Sequence, residues 1–384
     1  MKFIHLGDLH LGKNVNGFSM IDDQRYILNQ VVSIVENKKL DAVIIAGDIY
    51  DRSVPSEEAI KLYNDFLRQL VSKKVKVFAI SGNHDSEIRT DFGNWMMEDS
   101  GVYVRGVYDG KVDFITLEDE YGKINVYLLP YVKASHVKYF YPEEEISNYD
   151  SAFRCVLSKC DINTKERNVM VAHQFVAGKS DALEFAGSEN DALNVGTIDC
   201  IGYDVFDDFD YVALGHIHSP QKIGRDTLRY AGSPLKYSLE TTEIRKAKKF
   251  TIVEIKEKGN VRVELIDIKP LREVRHLRGK LEDILNNAVD QEDYIYATLT
   301  DEDTVYEAMA RLRQVYPNTM KMDYDNSTTR HIAEDSEIVT DGKSFTELMN
   351  DFFTFSRGKE PDEKEWDIIR EVAKEVGVIS DETN

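Results

Sequence analysis

Four short glycine-bearing loops and one lone histidine, each at the end of an apolar run, constrain this chain more than any other feature. Met1-Lys2-Phe3-Ile4-His5-Leu6 reads as a buried strand and delivers Gly7-Asp8-Leu9-His10-Leu11-Gly12. The pattern recurs at Gly47-Asp48-Ile49-Tyr50-Asp51, Gly82-Asn83-His84-Asp85 and Gly215-His216-Ile217-His218, while His173 closes the run Val169-Met170-Val171-Ala172. A single D-x-H triplet occurs by chance in many chains; five such sites in order do not. The ends of strands are where α/β folds place their chemistry.

The rest of the chain fits that scheme. Ile21 to Val35 has helical spacing with Asp22 and Asp23 in its first turn, and Ala42–Ala46 is a continuous apolar run of the kind found in strands covered on both faces. Ser56 suits the N-cap of a helix reaching about Leu70, and Val75 to Ile80 reads as a third strand. This alternation predicts an α/β core. Residues 102–130 read as antiparallel strands turning near Gly122, followed by a helix from about Ser151 to Cys160. The polar loop 174–196 has the length of a functional segment. Strands at 210–214 and near 228–231, 249–255 and 261–268 would complete a second sheet.

Pro270 marks a boundary. A small α+β unit is expected beyond it, with helices at 280–288 and 303–315 and strands at 294–299 and 320–324. From residue 344 two amphipathic helices follow, carrying Phe345, Leu348, Met349, Phe352 and Phe353, then Trp366, Ile369, Val372, Ala373 and Val376. Helices so short need the body or a partner to cover those side chains. The expected division is therefore 1–269, 270–330 and 344–378.

The net charge of −21 argues against binding nucleic acid through a broad basic surface. Fifteen acids and six bases in residues 334–384 account for −9 of it, so the imbalance is partly local. Cys155, Cys160 and Cys200 have no zinc spacing and read as thiols of a reducing compartment. With no leader pattern and no run of about 20 apolar residues, the expectation is a soluble cytoplasmic protein without a membrane segment.

The loops supply the ligand set Asp8, His10, Asp48, Asn83, His173, His216 and His218. Carboxylate, amide and imidazole donors without thiolate suit Mn²⁺, Fe²⁺ or Zn²⁺. Seven ligands exceed one tetrahedral ion but serve two octahedral ions if one carboxylate, here Asp48, bridges. A metal pair about 3.5–4 Å apart is the common device of phosphoester hydrolysis. His84 would face the leaving group as general acid, and Asp51 would orient its imidazole through the carboxylate. His5, His136, His276 and His331 are read as packed or surface residues.

These loops resemble the calcineurin-like metallophosphoesterases, whose pattern runs D-x-H, G-D, G-N-H-[ED], H, G-H-x-H. The resemblance implies an αββα sandwich of the α/β class. It also implies one metal on Asp8, His10, Asp48 and His218, and a second on Asp48, Asn83, His173 and His216. The opening K-F-I-H-L-G-D-L-H-L-G, with G-D-I-Y-D-R-S-V-P-S, S-G-N-H-D-S and A-G-S-P-L-K-Y-S, is similar to the nuclease subunits that work with SbcC-type, SMC-like ATPases. That likeness implies Mn²⁺ dependence and a small α+β capping domain that contacts DNA. It further implies a homodimer within a heterotetramer, C-terminal helices docked on the coiled-coil base of the ATPase, and exonuclease and endonuclease action on DNA ends and hairpins in replication, repair and recombination. The ATPase would bind the nucleotide, since this chain has no phosphate-cradling Walker loop. Phosphate neutralisation would fall to the metals, the partner and basic stretches such as Arg245-Lys246-x-Lys248-Lys249.

Two other readings compete. A phosphatase or small-molecule phosphodiesterase could use the same scaffold, and Gly47-Asp48-x-x-Asp51-Arg52 resembles a loop of serine/threonine phosphatases. Ser53 and Asp85 depart from that pattern, as do the 115 residues after Lys269. A scaffold that has lost catalysis is opposed by the occupation of every ligand position.

Overall fold

The computed structural model describes residues 1–178, 200–326, 345–357 and 360–375. These form two compact units, residues 1–300 with 305–323, and residues 301–304 with those from 324 onward.

The first unit opens with strand β1 (Lys2–Leu6), helix α1 (Ile21–Lys38), β2 (Ala42–Ala46), α2 (Glu57–Ser72), β3 (Lys76–Ile80) and β4 (Val102–Arg105). Asp22 and Asp23 occupy the first turn of α1, and the Ser56 hydroxyl caps α2 by accepting from the Ala59 amide at 3.2 Å. The chain then enters a second layer through β5 (Asp113–Asp119), β6 (Gly122–Leu129), α3 (Tyr149–Ser158), β7 (Arg167–His173), β8 (Tyr211–Gly215), β9 (Gln221–Ile223) and β10 (Arg225–Tyr230). Asn148 and Ser151 cap α3 reciprocally. Strands β11 (Lys249–Ile255) and β12 (Val261–Asp267) return to the first sheet.

The first sheet has the order β12-β11-β1-β2-β3-β4 and the second β9-β10-β8-β7-β6-β5. β1 to β4 run parallel, as do β6, β7, β8 and β10. Strand period explains the layering. In β2, Val43 and Ile45 pack with α1 and α2, whereas Ala42 and Ile44 join Phe3, Phe78, Val169, Val171 and Tyr211 between the sheets. On the far side Met170, Ala172, Val212 and Leu214 pack with Phe153 and Val156 of α3. The result is the expected αββα sandwich.

Two details differ from expectation. The antiparallel hairpin pairs only Asp113–Asp119 with Gly122–Leu129, while Val102–Arg105 extends the parallel sheet beside β3. After Pro270 the chain adds β13 (Val274–Gly279), α4 (Leu281–Asn286), β14 (Tyr294–Leu299), α5 (Ala308–Val315) and β15 (Thr319–Tyr324), in sheet order β13-β14-β15. The first of these strands carries Arg275, His276 and Arg278, so its polarity hid it from pattern reading; it pairs in parallel with β14. Val274, Tyr294 and Met320 share the apolar cluster of α1.

Helices α6 (Phe345–Arg357) and α7 (Glu363–Glu375) belong to the second unit, and Asp362 with Glu365 caps α7 reciprocally at 3.0 Å. Much of the 174–196 loop, together with His331 and Val376, lies outside the described residues. No helix among the described residues is long and apolar enough to cross a membrane.

Candidate metal centre

β1, β2, β3, β7 and β8 deliver their C-terminal loops to one edge of the sandwich, and close main-chain approach there demands glycine. A Cβ on Gly215 would lie 1.9 Å from the Ala46 carbonyl oxygen and 2.7 Å from His173 Nδ1, and one on Gly82 would lie 2.2 Å from Asp48 Oδ1. Asp8, His10, Asp48 and His216 adopt positive φ of 52°, 44°, 49° and 101°. Each such residue costs about 1–3 kcal/mol and concentrates strain where side chains must converge.

All seven predicted ligands meet. The Asp8 carboxylate is fully buried; Oδ1 accepts from the His216 amide at 2.9 Å. His10 Nε2 is 3.0 Å from His218 Nε2 and 3.6 Å from Asp48 Oδ2. His173 Nδ1 is 2.8 Å from the Ala46 carbonyl oxygen, which can only accept, so this nitrogen carries its proton. The Nε2 of His173 therefore aims at Asn83 Oδ1, 3.0 Å away, and Asp48 Oδ2, 3.4 Å away. His216 Nδ1 reaches the same Asn83 oxygen at 3.0 Å. Three ligand-type clusters thus overlap: Asp8, His10 and His218; Asp8, Asp48 and His173; and His10, Asp48 and His84. Asp8, His10 and Asp48 each take part in two of them.

The electrostatics favour a cation. Burial pushes the Asp8 carboxyl up to about 7, opposed by His173 and reinforced by Asp48. Burial lowers His10 to about 4 and His216 to about 3, and takes His218 well below the usual range, so all three offer lone pairs. His173 is the exception. Burial opposes its charge, but Asp48 and Asp8 outweigh that and raise it to about 9. The proton on its Nε2 stands where a metal ion would. Asp8 Oδ2 is buried with no hydrogen-bond partner, whereas His10 Nδ1 faces the Asp51 carboxylate at 3.6 Å. Buried polar atoms are almost always paired, so Asp8 Oδ2 and the donor set fit divalent metal.

His84 lies exposed at the rim, its ring 4.8 Å from that of His10. Its Nδ1 is 3.0 Å from the main-chain oxygen of Asp51. The route of orientation therefore differs from the sequence expectation. The Asp51 carboxylate instead pairs with Lys13 at 2.7 Å and faces His10 Nδ1 at 3.6 Å. Lys248, expected among the phosphate-neutralising bases, is buried against Glu243 at 2.8 Å. His5 keeps its packed reading, 3.0 Å from the Tyr211 hydroxyl.

Sequence reading missed several supports. Asp85 accepts from the amides of Ile49, Tyr50 and Gly82 at 2.9–3.0 Å and so ties the second loop to the third. Gln24 donates to the His10 carbonyl at 2.8 Å and accepts from the Gly12 amide at 2.9 Å. The Asp of G-N-H-D was visible as part of a motif, but nothing local announced Gln24.

A family model described as calcineurin-like phosphoesterase matches residues 1–220, and a second, described as type 5 capsule protein repressor C-terminal domain, matches residues 270–357. The chain belongs to the calcineurin-like phosphoesterases. It is 31% identical over 331 residues to the SbcD component of the SbcCD nuclease from Staphylococcus epidermidis, spanning 84% of this chain and 85% of that one. Among solved structures, a Thermus thermophilus protein matches with a TM-score of 0.40 at 9% identity, over 70% of this chain and 99% of that one. A dimetal phosphatase from Danio rerio matches with a TM-score of 0.37 at 14% identity, over 70% and 98%.

Proposed function

We propose that this chain is the nuclease subunit of an SbcCD-type complex, a two-metal phosphodiesterase that cuts DNA ends and hairpins as exonuclease and endonuclease. The observation that carries the reading is the convergence of seven ligand-type side chains on one edge, with Asp8 Oδ2 buried and without a hydrogen-bond partner. The relative's name, that of a nuclease subunit, supports nucleic acid as the substrate class, and DNA is the substrate proposed. Asp8, His10, Asp48 and His218 would hold one ion, and Asp48, Asn83, His173 and His216 the other, with Mn²⁺ the proposed metal. Two such ions supply hydroxide at neutral pH and stabilise charge developing on the phosphate.

The chain's own groups do the rest. Asp48 stays ionised because the protonated His173, through its charge and hydrogen bond, outweighs the burial that opposes the carboxylate. His84 can donate Nδ1–H to the Asp51 carbonyl whether neutral or protonated, leaving Nε2 to carry the transferable proton. At the rim it can pass that proton to the departing alkoxide. Asp51 thereby acts through its main chain.

The proposed division of labour is a nuclease body over 1–269, a DNA-contacting cap over 270–330, and helices over 344–378 that dock on the coiled-coil base of an SbcC-type, SMC-like ATPase. Exposed Phe352, Ile368 and Val372 support the docking role. Exposed Ile88, Phe92, Trp95 and Met96 just beyond the third loop support a homodimer within a heterotetramer. Cytoplasmic residence accords with the three free thiols.

The test is cleavage of linear and hairpin duplex DNA by the purified chain, with and without Mn²⁺ and the ATPase. Metal-dependent cutting of the hairpin is expected. Turnover of a chromogenic phosphodiester with intact DNA would favour a small-molecule phosphodiesterase instead.

A further inference from the structure

The segment Ala231-Gly232-Ser233-Pro234-Leu235-Lys236-Tyr237-Ser238 contributes no ligand to the centre, yet a buried polar network beneath the centre runs through it. The His218 carbonyl accepts from the Ser233 amide at 3.0 Å and from Lys248 Nζ at 3.0 Å. Lys248 Nζ also donates to Ser233 Oγ at 2.9 Å and pairs with Glu243 at 2.8 Å. Glu243 Oε1 accepts from the Tyr237 amide at 3.1 Å. The Tyr237 hydroxyl donates to the Leu9 carbonyl at 2.5 Å and accepts from Gln24, which also holds the His10 carbonyl. The network therefore links the main chains that carry His10 and His218, whose Nε2 atoms meet at 3.0 Å.

Lys248 is 6% and Glu243 1% exposed. An apolar pair of similar volume would pack there without the cost of desolvating two charges. The ammonium adds a donor to the His218 carbonyl and to Ser233, which fixes where the Gly215-His216-Ile217-His218 loop sits. We propose that Lys248, anchored by Glu243, is a positioning residue that sets His218, and through Tyr237 sets His10, for the metal those two histidines share. Neither Lys248 nor Glu243 touches the reacting atoms. The inference rests on the binuclear reading above.

Lys248→Met alone would strand a buried carboxylate, so the informative variant is the double substitution Glu243→Gln/Lys248→Met, with Lys248→Arg as the conservative control. Titration calorimetry with Mn²⁺ on the full chain, with circular dichroism and melting of the metal-free protein, gives readouts independent of turnover. The double variant should melt close to wild type and bind one of its two ions about 10- to 100-fold more weakly, the usual penalty for losing an outer partner of a metal ligand. The other ion should bind as in wild type. Lys248→Arg should keep both ions, and saturating Mn²⁺ should restore kcat to the double variant with KM for DNA unchanged. Equal weakening of both ions together with a lowered melting temperature would make the pair merely structural and overturn the proposal. So would a folded double variant that binds both ions like wild type, or a Lys248→Arg protein that loses the site as the double variant does. If wild-type protein bound no ion pair, the binuclear reading itself would fail, which the wild-type titration shows separately.

Discussion

Gly82→Ala is the smallest change that should disable the centre. The added Cβ would sit 2.2 Å from Asp48 Oδ1 and 2.4 Å from the Asp48 amide nitrogen, against about 3.5 Å for an ordinary contact. Either the Asp48 carboxylate or the third loop must move by about 1.3 Å. The loop is held by the Gly82 amide on Asp85 and by the His84 amide on Asp48 Oδ1, both at 2.9 Å, so movement on either side disturbs the bridging carboxylate. Misplacing a reacting constellation by about 1 Å costs on the order of 10²-fold in rate. Hydrolysis of a chromogenic phosphodiester at saturating Mn²⁺ should therefore fall about 100-fold in kcat, with weaker Mn²⁺ binding. Gly122→Ala is the control: its Cβ meets nothing within 4 Å, but φ is +94°. That variant should lose about 1–2 kcal/mol of stability and retain full activity. A Gly82→Ala protein with wild-type kcat and metal affinity would refute the reasoning.

Three further outcomes are expected. His84→Ala should lower kcat roughly 10²- to 10⁴-fold while leaving Mn²⁺ stoichiometry unchanged, as read by calorimetry alongside rate measurements. His173, raised to about 9, and Asp8, raised to about 7, must lose protons to ligate. Mn²⁺ uptake at pH 7 should thus release protons, and apparent affinity should climb with pH up to about 9; calorimetry in buffers of different ionisation enthalpy tests this, and no proton release would contradict it. Arg272→Met removes the guanidinium that meets the buried Asp23 carboxylate at 2.6 Å and leaves it the Tyr294 hydroxyl at 2.8 Å and main-chain amides. Urea denaturation should register a loss of about 3 kcal/mol.

The seven converging side chains were legible because each sits within four residues of the end of an apolar run, so local pattern alone places them at strand ends. The layers were legible for a similar reason. A run such as Ala42–Ala46 has no polar face, and only a strand covered on both sides tolerates that. What stayed hidden depends on contacts far apart in sequence. Gln24 meets Tyr237 across 213 residues, and Lys248 meets His218 across 30. A lysine in a basic run looks like a phosphate contact until its ammonium is found against a buried glutamate. Asp51 shows a subtler limit, because sequence names the residue but not whether its side chain or its carbonyl makes the contact. Strand Val274–Gly279 was missed because it carries three polar side chains on a half-buried surface.

On the function proposed above, this edge of the sandwich holds two divalent ions sharing Asp48. Electron paramagnetic resonance of the wild-type chain titrated with Mn²⁺ tests it most directly. Two ions per chain are expected, with the spectrum of an exchange-coupled pair about 3.5–4 Å apart; a single uncoupled ion, or none, would contradict it.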